Sequence, residues 1–349
     1  MREAALSDTE DTPASIRDPS LSPPPKRRPW RDLLVSLLVT FALTAFLFLE
    51  LDVTAFKNGL RQVDYWVLAP VVCLHGLSWV VRAIRWRVLL LPVCSVPAGS
   101  LFRLVMIGAM ISSIVPARAG EFWRAYALGS EAGVSRSTAF GTIVVERVLD
   151  GFTVALLAAT AALFIGPGGS VALLVVAAAV LFVGAFAALA LFIRSDRVRA
   201  FSMRLGLALT PRRYRAFVAT QFELFNTGLS TVRTGRTLAS ALLLSFLAYG
   251  VDAVGYWLLG SSFGFDVEPF GYLLVVAVGN LAVALPLSIA GIGPFEFFVQ
   301  QSLTAMGVSS SVALAYALLL HALTLVFVSV AGLASLWSNL AKRPRAEVR

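Results

Sequence analysis

The chain has 349 residues, 58% of them hydrophobic and 14% charged, with a formal net charge of +9; its mean hydropathy is +0.81 and its pI about 10.1. That composition excludes a soluble domain, and apolar runs that are continuous rather than alternating exclude a β-barrel, which leaves a polytopic α-helical membrane protein. The Arg residues concentrate in loops and at helix ends, where cytoplasmic positive charge is expected, and this argues against nucleic acid as a partner.

Residues 1–29 are rich in Pro, Ser, Asp and Arg, lack apolar periodicity, and read as a disordered tail. The first apolar run starts near Leu33, after Lys26-Arg27-Arg28, and no small-residue cleavage site follows, so it reads as a retained span rather than a signal peptide. Full spans are predicted over 33–51, 66–90, 138–164, 170–193, 237–260 and 312–337, with two further apolar stretches at 101–115 and 270–290. Cys73 and Cys94 lie on or beside one predicted helix, about 31 Å apart along it, too far to pair. With no metal-ligand cluster in the sequence, no metal or other cofactor is expected.

The two additional stretches end in related motifs. Ser113-Ile114-Val115-Pro116-Ala117-Arg118-Ala119-Gly120-Glu121-Phe122 and Ser288-Ile289-Ala290-Gly291-Ile292-Gly293-Pro294-Phe295-Glu296-Phe297 share Ser, Ile, Glu and Phe at a constant offset of 175. Pro116, Gly120, Gly291, Gly293 and Pro294 break the apolar runs. Broken hydrophobic segments at matching places in two halves of a membrane protein point to a substrate site near the bilayer midplane. Gly133-Val134-Ser135 and Gly307-Val308-Ser309, offset by 174, repeat before the next span of each half.

Charge decides how these stretches meet the membrane. The loop 194–236 carries nine Arg against Asp196 and Glu223, and the tails carry Lys26, Arg27, Arg28 and Arg31, and Lys342, Arg343, Arg345 and Arg349. All three should be cytoplasmic. They share one side only if an even number of crossings separates them. The six full spans satisfy that count, and single crossings by 101–115 and 270–290 would break it. Each is therefore predicted to be a re-entrant hairpin (101–126 and 270–306), entering from opposite faces, with halves of about 66–164 and 237–337 forming an inverted repeat. The predicted organisation is thus a tail, a membrane domain over 30–340 with the linker 194–236, and a basic tail over 341–349. Within the linker, Phe217, Val218, Leu224, Phe225 and Leu229 recur at near-helical spacing. This fits either a helix on the inner membrane face or a plain connector.

Ionisable residues at membrane depth are the candidates for function. Glu146, Arg147 and Asp150 fall about ten residues into the span 138–164; Glu146 and Asp150 share a helix face and Arg147 reaches Asp150 at i+3. They read either as a pathway lining in which Arg147 meets a phosphate, or as an internal ion pair. Arg118, Glu121 and Arg124 cluster at the first break, where Gly120 can cap a helix starting near Glu121; Glu121 reads either as an organiser of those arginines or as a proton or cation site. At the second break, Gly293 and Pro294 make a helix start with Glu296 in its first turn; this reads as dipole compensation or a site. His321 on the last span either bridges to Glu296 or is a satisfied core residue. Arg82 and Arg85, with Arg87, Trp79 and Trp86, read as interfacial anchors or headgroup ligands. His75, Asp252 and Asn280 are isolated polar positions. Nucleotide-loop, paired-His and nucleophile-elbow signatures are missing from the sequence.

Arg82-x-x-Arg85-Trp86, Pro116-Ala117-Arg118-Ala119-Gly120-Glu121 with Arg124-Ala125-Tyr126, Val145-Glu146-Arg147-Val148-Leu149-Asp150-Gly151 and Ala290-Gly291-Ile292-Gly293-Pro294-Phe295-Glu296 resemble the lysylphosphatidylglycerol synthase transmembrane-region family, also called flippase-like domain proteins, over about residues 30–340. The resemblance implies a multi-pass protein of a prokaryotic inner membrane, with both termini cytoplasmic by the charge rule above. In the bifunctional synthases a related domain is thought to move aminoacylated phosphatidylglycerol between leaflets, and a separate soluble domain makes that lipid. The chain ends at Arg349, so synthesis is not expected of it. The leading expectation is a translocase for an anionic phospholipid or a lipid-linked glycan. Arg118, Arg124 and Arg147 would meet the head, and Glu121, Glu146 and Asp150 would position them. The alternatives are a membrane-embedded transferase acting on polyprenyl or phospholipid substrates, and a non-catalytic partner of a cell-envelope enzyme.

Overall fold

A computed structural model describes residues 52–115, 118–284 and 288–341. The expected span 33–51, both tails and Pro116 lie outside them. The described residues are all-α: α1 (Val53–Gln62), α2 (Leu68–Leu90), α3 (Ala98–Ile114), α4 (Ala119–Ala132), α5 (Arg136–Ile165), α6 (Gly169–Arg194), α7 (Asp196–Ala208), α8 (Arg215–Leu229), α9 (Gly235–Ser262), α10 (Gly271–Ala284), α11 (Pro294–Ala305) and α12 (Ser310–Ala341). Five stretches among them, containing α2, α5, α6, α9 and α12, are long and apolar enough to cross a membrane. They match the spans expected from 66 onward. Leu173, Val176, Val180 and Leu181 of α6 are exposed. Such a contiguous apolar face is tolerable against lipid and not against water.

Helix ends follow local chemistry. Asp52 accepts the amides of Thr54 and Ala55 at the start of α1, and Ser135 accepts that of Thr138 at the start of α5. These contacts satisfy amides that a helix start otherwise leaves orphaned. α5 stops at Gly166, whose φ is 61°, just before Pro167, which cannot continue a helix.

The element order occurs twice. A short helix, a one-turn 3-10 segment, a long helix, two short helices and a final long helix run from α1 to α5 and again from α8 to α12. Packing repeats with the halves exchanged: α5 packs on α8 and α10, and α12 packs on α1 and α3, while α2 and α9 pack on each other at the centre. The correspondence reaches single residues. Gly133 and Gly307 both have positive φ, 66° and 90°. The Ser135 and Ser309 carbonyls accept the amides of Ala139 and Ala313. Each half therefore begins earlier than the sequence pattern suggested, at α1 and α8.

The linker helix α8 packs on α5, and Thr138 Oγ1 donates to the Leu224 carbonyl at 2.8 Å. The largest apolar cluster joins α5, α9, α10, α11 and α12, around Tyr272 and Tyr316. A second cluster, around Trp86, Leu101 and Met106, joins α2, α3, α4 and α5.

Candidate functional site

Both breaks become short paired helices, α3–α4 and α10–α11, that pack on each other within each pair. The expected cap at Gly120 is corrected: Arg118, at φ 54°, is the N-cap, and the helix begins at Ala119. Gly120 instead sits in the first turn, where a Cβ would lie 1.8 Å from the Gly108 carbonyl oxygen. Its glycine lets α3 and α4 touch backbone to backbone, as small residues do between membrane helices. In the second break Gly293, at φ 94°, is the N-cap and Pro294 the first helical residue. Arg118 and Gly293 stand 175 apart, so Glu121 and Glu296 occupy the same third position of their helices.

Around the first break a network of opposed charges joins α2, α4, α5 and α9. Arg85 is 0% exposed; its guanidinium clasps Asp150, with Nη2 3.0 Å from Oδ2, and donates to Ser245 Oγ at 2.7 Å. Arg124 holds Glu146 bidentately at 3.1 and 2.9 Å and lies 4.0 Å over the Trp86 ring. Arg147 Nη2 reaches Glu146 Oε1 at 2.5 Å and Asp150 Oδ2 at 3.1 Å. Glu121 Oε1 faces two arginines, Arg118 Nε at 2.8 Å and Arg147 Nε at 3.6 Å.

Arg82 and Arg85 are not interfacial anchors. They point into the bundle, and Arg82 pairs with Asp252 at 3.0 Å and lies 4.4 Å over the Tyr249 ring. Arg82 and Arg85 lie inside because Asp252, Ser245 and Asp150 supply partners there. Asp252 also accepts from Ser78 Oγ at 2.8 Å and meets His75 Nδ1 at 3.2 Å. Trp79 Nε1 donates to His75 Nε2 at 3.0 Å, so the hydrogen of His75 sits on Nδ1 and points at Asp252. Sequence reasoning gave Asp252 and His75 little weight. The signal was available: a lone acid deep in an apolar run requires a cation or donor on a neighbouring helix.

The second break is closed by a smaller cluster. His321 Nδ1 is 2.6 Å from Glu296 Oε1 and Nε2 is 3.2 Å from the Ala290 carbonyl. Glu296 Oε2 accepts the amide of Gly293 at 2.7 Å. Glu296 therefore both offsets the helix start and holds His321.

The two breaks line one cavity of about 240 Å³. Ser112, Arg118 and Glu121 come from the first, Ser288, Gly291 and Phe295 from the second, with Arg147, His321 and Asn280 in the wall. Of the arginines in the network, Arg118 and Arg147 are the open ones, with side chains 39% and 33% exposed. Arg124 borders the cavity, but Glu146 and Trp86 occupy it. Among the described residues no group of three or more His, Cys, Asp or Glu is placed to hold a metal ion. The arrangement can attract an anion into a pocket whose remaining wall is polar and apolar by turns.

The family described as Lysylphosphatidylglycerol synthase TM region matches residues 33–332. The chain is 29% identical to a protein named glycosyltransferase AglD from Haloferax volcanii, over 91% of this chain and 57% of that protein. It is 24% identical to a UPF0104 membrane protein of Methanothermobacter thermautotrophicus, over 80% of this chain and 87% of that one. It is 32% identical to a UPF0104 membrane protein of Methanocaldococcus jannaschii over 34% of this chain and 35% of that one. The chain thus spans little more than half the length of the glycosyltransferase it matches. No solved structure matches.

Proposed function

Since the chain belongs to the lysylphosphatidylglycerol synthase TM region family, we propose that it is a translocase that passes the head of a phospholipid or a lipid-linked glycan between leaflets. The observation that carries this reading is the single cavity shared by two break motifs from two repeated halves, with Arg118 and Arg147 open to it. Broken helices meeting at such a cavity let non-helical backbone face a ligand rather than lipid, and repeated halves supply two related states by rocking against each other. In this reading the protein lies in the plasma membrane with the linker 194–236 and both termini cytoplasmic. Arg82, Arg85, Arg124, Glu146, Asp150 and Asp252 form the rigid frame, while Arg118, Arg147 and Glu121 meet the head. Glu296 and His321 hold the second break.

The name of the Haloferax relative, a glycosyltransferase, favours a second reading: a membrane region that holds a lipid substrate for, or as a partner of, a sugar-transferring enzyme. Reconstitution separates the two. Purified protein in liposomes should exchange tail-labelled phospholipid or polyprenyl-phosphate lipids between leaflets. Replacing both open arginines (Arg118→Gln with Arg147→Gln) should cut the rate by about ten-fold or more, with the protein still monodisperse. Product formation without exchange would support the second reading, and exchange untouched by the double variant would remove the arginines from the mechanism.

A further inference from the structure

The second break is tied to α12 through one imidazole, and the tie has a fixed proton count. His321 is buried, and both of its ring nitrogens face acceptors: Nδ1 lies 2.6 Å from Glu296 Oε1 and Nε2 lies 3.2 Å from the Ala290 carbonyl oxygen. The other carboxyl oxygen of Glu296, Oε2, already accepts the Gly293 amide at 2.7 Å. Two hydrogens are therefore needed among Oε1, Nδ1 and Nε2. They can sit as an imidazolium against a carboxylate, or as Oε1–H donating to Nδ1 with Nε2–H on the carbonyl. In both arrangements the pair is neutral overall and Nε2 carries a hydrogen. Removing one proton leaves a single hydrogen for two contacts. It stays in the shorter one, between Oε1 and Nδ1. A bare Nε2 then opposes the Ala290 carbonyl, lone pair against lone pair.

That carbonyl belongs to strained backbone. Ala290 has φ 57°, and Gly291 and Gly293 follow at 83° and 94°. A residue with a side chain holds such a conformation only where its surroundings fix it. The Phe295 ring packs 4.3 Å from that of His321, and Ala290, Gly291 and Phe295 all line the cavity. The elements packed on α12 bring few other titratable groups to this wall. α11 brings Glu296, α2 His75 and α9 Tyr256, while α1 and α3 bring none among the described residues. On the same cavity Arg118, Glu121, Arg124 and Arg147 are engaged in ion pairs of their own, and His75 is held by Asp252 and Trp79. We propose that Glu296 and His321 form a proton-binding site that latches the second break to α12. With the proton bound the break is held at Ala290, and loss of the proton frees it to move. By linkage, moving the break releases the proton.

The test uses the full chain, which has only two histidines. In a sample labelled with nitrogen-15 histidine in detergent, the NMR signals of His321 are those lost in His321→Gln. Raising the pH from about 6 to 9 should take the hydrogen from His321 Nε2, while one hydrogen stays between Nδ1 and Glu296. The break itself is followed by maleimide labelling of Ser288→Cys, on the cavity wall, relative to Gly168→Cys, with Cys73 and Cys94 replaced by Ser. That ratio should rise about five-fold or more over the same interval. Glu296→Gln should keep it low throughout, because the amide donates to Nδ1 and still accepts from Gly293, with Nε2–H left on the carbonyl. Three results overturn the latch: a wild-type ratio that stays flat, a Glu296→Gln ratio that rises as in the wild type, or an Nε2 that keeps its hydrogen while position 288 opens. The proton site does not depend on the cargo. A working latch without lipid exchange in liposomes sinks the translocase reading alone, and exchange alongside a flat ratio sinks the latch alone.

Discussion

Arg85 has the starkest residue-level consequence. It is fully buried, and its partners come from α5 and α9. A buried pair contributes modestly when whole, but removing one member strands the other charge. Arg85→Leu should therefore destabilise the protein by about 3–5 kcal/mol, read as a lowered thermal transition in detergent. Adding Asp150→Asn should recover a large part of that loss. A double variant no more stable than the single one would show that Arg85 acts by packing alone. Pairings of this kind were half legible in the sequence. The i+3 spacing of Arg147 and Asp150 is a local rule, and the two residues do meet. The link from Arg82 to Asp252 crosses 170 positions, and no spacing rule covers such a separation.

Elements were legible where hydropathy is the cause. Every span expected from residue 66 onward appears as a helix with ends near the predicted ones. The short helices α1 and α7 went unread, since neither carries an apolar run. The near-helical spacing in the linker left open a helix on the membrane face or a plain connector; the segment is the helix α8, and the structure supplies its partner. A Cβ on Gly228 would lie 2.2 Å from the Thr138 carbonyl oxygen of α5, so the two backbones touch there. Gly228→Ala should force α8 off α5 at a cost of about 1–3 kcal/mol. Trypsin should then cut at Arg212, Arg213 and Arg215 several-fold faster than in the wild type. Gly206→Ala, with open space around the new Cβ, should leave the rate unchanged. Equal cleavage of Gly228→Ala and wild type would mean that the contact yields without loosening the helix.

At the scale of the molecule, the halves repeat in element order and in exchanged packing partners. The charge pattern predicts that they stand in opposite orientations, with the Arg-rich linker inside. Single cysteines at Thr210 and Gly168, in a chain whose Cys73 and Cys94 are replaced by Ser, test this directly. A membrane-impermeant maleimide added outside intact cells should label position 168 and spare position 210. Labelling at 210 instead would sink the inverted arrangement.

The sequence by itself determined the class of protein, the spans from 66 onward, the two breaks and the family. Each of these follows from local physics: twenty apolar residues in a row can only cross or line a membrane, and Gly and Pro interrupt a helix wherever they stand. Only the tertiary structure decided that both breaks open on one cavity. It also turned Arg82 and Arg85 inward, and left Arg118 and Arg147 as the arginines of the network most open to that cavity. Those outcomes depend on which charges meet across helices far apart in the chain. At membrane depth a charge settles where its partner is, and the partner's position is a property of the packed bundle.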